Sequence, residues 1–339
     1  KIYLRDGNQI TVPAALTGGS IGASIPGANG TVAKGSSYQL TESDKRKFQS
    51  DADGYEFVLN ANTVKLQKIL TPVVVGDFTF TPPTDLTYNG EPKAAMVTGK
   101  SGIGNITLKY YDTTGRQLTG APVDAGSYTV KIDVAESDEY AAITNLTDAT
   151  WKFTITPKNL AKNDVTMTGV ESFYIYNGSS IRPVPTVVYG DKTLVQDTDY
   201  TVSYGDNVRG TCSLTIHFQG NYAGTADYTF EVDYGTLDDT MYTMPTANEN
   251  GWYNQALTVN AKTGYTVGLS TTAFADSVQL SEVGKDKSVT FYAKSESTGS
   301  IYKGTLVYSL DDTAPSDLEI QYNNSVFRKL MNTFTFGIF

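Results

Sequence analysis

The chain has 339 residues, a net charge of −10, one Cys and one His. An acidic balance speaks against binding a phosphate backbone, which needs clustered Lys and Arg, and against an anionic membrane surface; a single Cys leaves no internal disulfide and no thiolate metal cage. No apolar run approaches the ~20 residues that span a bilayer, while 23 Tyr and 31 Gly favour half-buried strands joined by tight turns.

Residues 1–72 read as a small N-terminal β segment, with short strands at 2–4, 9–12, 20–25, 55–59 and 63–66. Thr41-Glu-Ser-Asp44 opens its one helical turn, because Thr41 can cap the backbone and Asp44 lies in the first turn. The longest apolar run, around Val73-Val-Val75, has the length of a strand.

Residues 73–157 form a second unit. Its centre is the turn Asp124-Ala-Gly126 followed by Tyr128, Val130, Ile132 and Val134, which alternate with polar residues. Alternation marks a strand with one buried and one wet face, since successive side chains point to opposite sides. Trp151, Phe153 and Ile155 share one face of the closing strand, and Pro157 ends it because proline cannot donate to a ladder.

Residues 158–234 repeat that outline, with strands at 174–176, 200–204, 211–219 and 228–232. Tyr-Asn-Gly at Tyr88 and again at Tyr176 stands 88 residues apart, a period of one whole small domain. Residues 235–314 give a fourth unit, with alternating strands at 257–261, 288–293 and 306–310. Residues 315–339 are too short for another domain and read as the truncated start of a further module. Short strands with regular turn signals predict sandwiches.

Leu86-Thr-Tyr-Asn-Gly90 followed by Asp124-Ala-Gly-Ser-Tyr-Thr-Val130 resembles the MBG-type and related immunoglobulin-like repeats of bacterial cell-surface proteins. Asp199-Tyr-Thr-Val-Ser-Tyr204 with Gly220-Asn-Tyr-Ala-Gly224 resembles a sister repeat. Gly251-Trp252, Gly264-Tyr265 and Leu310-Asp-Asp-Thr-Ala-Pro315 resemble a third bacterial Ig-like type. The resemblance implies secreted, multi-module proteins of Gram-positive or gut bacteria, often tethered to the wall. It specifies architecture and says little of activity.

Chemistry-bearing residues are few. Cys212 and His217 share one strand on opposite parities, so the thiol points to the core and the imidazole to water. A Cys–His dyad, which needs both groups within hydrogen-bond reach, is thereby disfavoured. Asp311 and Asp312, at a module junction, are the candidate calcium ligands, and Asp51/Asp53 and Asp238/Asp239 are weaker pairs. For each of these the competing reading is a solvated turn. Tyr111 and Tyr292 fall on the outward parity of their strands and are the candidate ligand-binding residues. An outward Tyr can stack on a sugar ring, although strands favour Tyr in any case. Trp151 and Trp252 are assigned to cores. A Lys–Asn isopeptide cross-link would need a buried Lys, an Asn and a carboxyl together, which sequence cannot place.

The sequence thus predicts an all-β, elongated chain of tandem immunoglobulin-like β-sandwich modules after the N-terminal β segment, monomeric and with no resident cofactor. The expected function is a non-enzymatic extracellular stalk or adhesion region of a secreted or wall-attached bacterial protein, binding host or dietary glycans or surface glycoproteins weakly. The alternative is the accessory carbohydrate-binding part of a larger secreted glycan-degrading enzyme. A nucleic-acid partner and membrane insertion are not expected.

Overall fold

A computed structural model describes residues 2–4, 8–24, 30–50 and 52–313. The start of a further module read at 315–339 lies outside the described residues, as do Ile25 and Asp51. The protein is all-β, a tandem of small sandwiches, and its described residues include one α-helical turn. Among those residues no helix is long and apolar enough to cross a membrane. The described residues divide into two compact units: those up to Asn159 together with Gly220–Ala223, and Leu160–Gln219 together with those from Gly224 onward.

In the first unit, the N-terminal segment has one sheet in the order Ile10–Val12, Gly30–Gly35, Thr63–Lys68, Tyr55–Asn60, and a parallel sheet of Ile2–Tyr3, Ile21–Ser24 and Phe48–Ser50. Val12, Val32, Phe57, Val64 and Leu66 are buried together in its core. The helical turn forms at Glu42–Lys45, with Thr41 as its cap and Asp44 closing the capping box. The strand Gly30–Gly35 had no signal in the sequence. Its pairing shifts register between Thr31 and Ala33, and Val32 and Ala33 are both buried, so the alternation is broken by a bulge.

The apolar run around Val73 is not a strand. Val75–Asp77 makes one 3₁₀ turn, because the buried Asp77 carboxylate accepts the Val74 N–H at 2.9 Å. The module that follows pairs Ile106–Tyr111, Gly126–Val134 and Ile143–Leu146, with Lys152–Ile155 also on Gly126–Val134. Phe78–Thr81 and Met96–Gly99 form a second ladder. Tyr128, Val130, Ile132 and Val134 are all buried, as their alternation predicts. Trp151 stacks on Phe80 and meets Phe78 edge-on, each ring centre 6.1 Å away. The preceding segment is stitched to this module, since Thr71 N–H donates to Glu139 O (2.9 Å) and Ala141 N–H to Thr71 O (3.0 Å).

In the second unit, one sandwich has a sheet in the order Phe173–Ile175, Thr225–Asp233, Gly210–Phe218, Tyr200–Tyr204. Its other sheet holds Thr166–Thr168, Thr186–Tyr189 and Lys192–Thr193. The next sandwich sets Gly235–Thr236, Ile301–Leu310, Gly284–Ser295 and Tyr265–Gly268 in one sheet, with Trp252–Tyr253 also pairing Ile301–Leu310. The facing sheet is Tyr242–Thr243, Leu257–Ala261 and Ser277–Leu280. Phe291, Val259, Val267 and Leu310 fill the core between them, each fully enclosed.

Candidate functional site

A concave surface lies on the last sandwich, and the sequence did not single it out. A groove of about 630 Å³ runs between residues 243–248 and 252–260. Trp252 and Tyr253 line it, with the side-chain amides of Asn248, Asn254, Gln255 and Asn260 around them. Trp252, assigned to a core from sequence, is only half-buried and stands outside the core cluster. The correction has a local cause. Trp252–Tyr253 is a two-residue strand that pairs in parallel with Ser309–Leu310 at the edge of the sheet, so only part of the indole is covered.

The groove is built on a fixed turn. Asn248 Oδ1 accepts the N–H groups of Asn250 (3.0 Å) and Trp252 (2.8 Å), and Asn248 N–H donates to Trp252 O (2.9 Å). Gly251 sits at φ 80°, a conformation that costs a side-chain-bearing residue and is free for glycine. The Tyr253 hydroxyl donates to Pro245 O at 3.0 Å, which ties the two sides together. The amides of Asn254, Gln255 and Asn260 make no side-chain hydrogen bond among the described residues. All three are exposed. A pre-set turn carrying unspent donors and acceptors beside two aromatic residues is the composition of a small-ligand site.

Tyr111 keeps its predicted outward parity and is half-buried. Its hydroxyl donates to Gln117 Oε1 at 3.0 Å, and the Lys131 ammonium lies 4.6 Å from the ring centre. Beside it, Lys109 pairs with Asp133 at 2.5 Å, and Asp133 accepts the Asn145 N–H at 2.8 Å. One face of the ring is therefore covered by a cation and its polar tip is engaged.

Tyr292 is also half-buried, and its surroundings are those of a joint. It meets Tyr234 edge-on at 5.6 Å, and Tyr234 meets Tyr176 at 5.9 Å. The Arg209 guanidinium stands 4.4 Å from the Tyr234 ring centre and donates to its hydroxyl at 2.8 Å. Ile301 N–H donates to Tyr176 O at 2.8 Å. These contacts join the two sandwiches of the second unit.

Asp311 and Asp312 are exposed. The Asp311 carboxylate accepts the Thr313 N–H at 3.1 Å and the Thr313 hydroxyl, and these bonds hold its carboxyl below the usual carboxylate range. The same Asp-x-Thr turn recurs at Asp112, Asp148 and Asp238. Acidic residues here build turns. Among the described residues no group of three or more His, Cys, Asp or Glu side chains is placed to hold a metal.

Cys212 is buried and His217 exposed, on opposite faces of Gly210–Phe218 as the parity requires. His217 Nε2 lies 2.8 Å from Ser203 Oγ, a cross-strand contact that the sequence could not show. Among the described residues, Lys, Asp and Asn come together at Lys93–Asp85–Asn89 and at Lys109–Asp133–Asn145. In both, the lysine hydrogen bond is the main cause that lowers the aspartate's pKa. Each lysine is thus paired with its aspartate.

No protein-family model matches the chain, and no curated protein matches it. Solved structures with a similar trace include extracellular domains 3–5 of Drosophila OTK, at 10% identity and TM-score 0.20, covering 71% of this chain and 99% of that one. Three N-terminal domains of the outer capsid protein Hoc of bacteriophage RB49 give 14% identity and TM-score 0.21, covering 70% and 99%. SGBP-B of the Bacteroides ovatus mixed-linkage glucan utilization locus, solved with a heptasaccharide, gives 12% and 0.16, covering 76% and 71%. Likeness at this level assigns neither ligand nor activity to the present chain.

Proposed function

We propose that this chain is a non-enzymatic extracellular region of a secreted or wall-attached bacterial surface protein, built of MBG-type and related immunoglobulin-like repeats. It acts as a spacer that also holds glycans weakly. The observation that carries the spacer role is the way neighbouring modules are joined within a unit. Backbone hydrogen bonds at Thr71 and an aromatic ladder through Tyr234 take the place of free tethers. A spacer resists bending only where its junctions are packed.

Tyr234→Ala tests this. Each aromatic pair contributes ~0.5–1.5 kcal/mol beyond its buried area, and each cation–π contact about 0.5–1 kcal/mol. The substitution is expected to remove roughly 1.5–4 kcal/mol of interaction at the joint between the two sandwiches of the second unit. Calorimetry should then show their shared transition split in two. An unsplit transition at an unchanged temperature would remove the joint from the argument.

The groove of the last sandwich favours the adhesive part of the reading, and it serves the alternative equally well, in which these modules are the carbohydrate-binding accessory of a larger glycan-degrading enzyme. A broad glycan and mucin array with Tyr111→Ala, Tyr292→Ala and Trp252→Ala variants locates the site. Signal is expected to fall with Trp252→Ala and to persist in Tyr111→Ala, whose ring is already engaged. Absence of binding to every glycan would leave the spacer role alone.

A further inference from the structure

We infer that the groove between residues 243–248 and 252–260 is a subsite for neutral pyranose glycans and rejects acidic ones; this rests on the glycan-holding part of the proposed function. The first ground is charge. None of the residues that line the groove carries one. A carboxylate or sulfate entering it would lose hydration without gaining a cationic partner, and that loss is costly. The chain's net charge of −10 adds long-range repulsion of the same sign.

The second ground is complementarity. A side-chain amide offers both donors and an acceptor, and a sugar hydroxyl offers one donor and two acceptor lone pairs. Among the described residues Asn254, Gln255 and Asn260 keep that capacity unspent, and all three are exposed. A pyranose also presents an apolar C–H face, which suits the half-buried Trp252 beside them. The third ground is size. A volume of about 630 Å³ falls within the ~300–1,000 Å³ usual for small-ligand sites. The turn fixed by Asn248 and Gly251 holds the lining in place before a ligand arrives, which lowers the ordering cost of binding.

The test uses the full chain and two sets of short oligosaccharides. One set is neutral, made of glucose, mannose or galactose. The other is acidic, carrying sialic acid, uronic acid or sulfate. Because the chain has two Trp residues, Trp151→Phe leaves Trp252 as the sole indole reporter. At least one neutral series should bind saturably and change Trp252 emission, while the acidic set does neither. The double variant Asn254→Ala/Gln255→Ala should weaken binding by about tenfold or more, the effect of losing two hydrogen bonds. Among the described residues neither side chain has a protein partner, so folding is spared in that variant even if Trp252→Ala proves unstable. Binding of acidic glycans in this groove overturns the inference and leaves the adhesive function standing. Neutral binding that ignores both Trp252 and the two amides moves the site elsewhere and also overturns it. Binding of neither set overturns the inference and the glycan part of the proposed function together.

Discussion

Trp151→Ala is expected to cost about 3–5 kcal/mol, the range for truncating a buried Phe or Trp to Ala. The indole is 3% exposed and is gripped by Phe80 on its face and Phe78 at its edge. Its main chain is used as well, since Trp151 O accepts the Val130 N–H at 2.8 Å. The side chain therefore links the Phe78–Thr81 ladder to the central strand Gly126–Val134. A loss of that size in a module of under 100 residues lowers its midpoint by more than about 10 °C. The effect should stay local, because the last sandwich closes a separate core around Phe291. Scanning calorimetry of the whole chain should show one transition displaced downward and the shared transition of the second unit's two sandwiches unmoved. Trp151→Phe keeps an aromatic ring in the slot and should lose much less. A uniform downward shift of every transition would show that the modules do not unfold independently.

The local character of these cores explains what could be read from the sequence. Gly126–Val134 and Gly210–Phe218 were legible because each has one buried and one wet face over nine residues. Cys212, Leu214, Ile216 and Phe218 are buried at strict intervals of two, and His217 between them is exposed. The capping box at Thr41 was legible for a different reason, since its partners are three residues apart. Where period two failed, so did the reading. The bulge near Val32 hid a strand, and an Asp77-capped turn interrupted a run of valines that looked extended.

The candidate site was harder. Trp252 has no neighbours from which to count parity, because its strand is two residues long. Its exposure is set by pairing with Ser309–Leu310, more than fifty residues away in sequence. A signal was present all the same. Asn248-Glu-Asn-Gly-Trp-Tyr-Asn-Gln255 concentrates amides around two aromatics far beyond what a turn requires. Tyr111 and Tyr292 had the correct parity. Parity gives the direction of a side chain and not its company, and in both places the company is a cation or another ring.

Asp44→Asn should destabilise the N-terminal segment strongly near neutral pH and progressively less in acid. Asp44 is 2% exposed, and its carboxylate is satisfied entirely by donors. Oδ1 accepts the Leu16 N–H at 2.8 Å. Oδ2 accepts the Thr41 hydroxyl at 2.6 Å, the Thr41 N–H at 2.9 Å and the Tyr38 hydroxyl at 3.0 Å. Whichever oxygen the amide NH₂ replaces, it meets a backbone N–H that can only donate, from Leu16 at Oδ1 or from Thr41 at Oδ2, so the near-isosteric change is disruptive. The hydrogen bond from the Thr41 hydroxyl is the largest cause holding this carboxyl far below the usual carboxylate range. A group with a depressed folded pKa contributes its stability above its unfolded pKa and loses it as pH falls through the folded one. The unfolded aspartate titrates near ~3.9, so the gap between wild type and variant should be full at pH 5 and above. It should begin to close only below about pH 4 and persist well into strong acid. Melting curves followed by circular dichroism at neutral pH should place the variant at least about 5 °C lower. A gap that stays constant from neutral pH into strong acid would assign the loss to packing rather than to the carboxylate's charge.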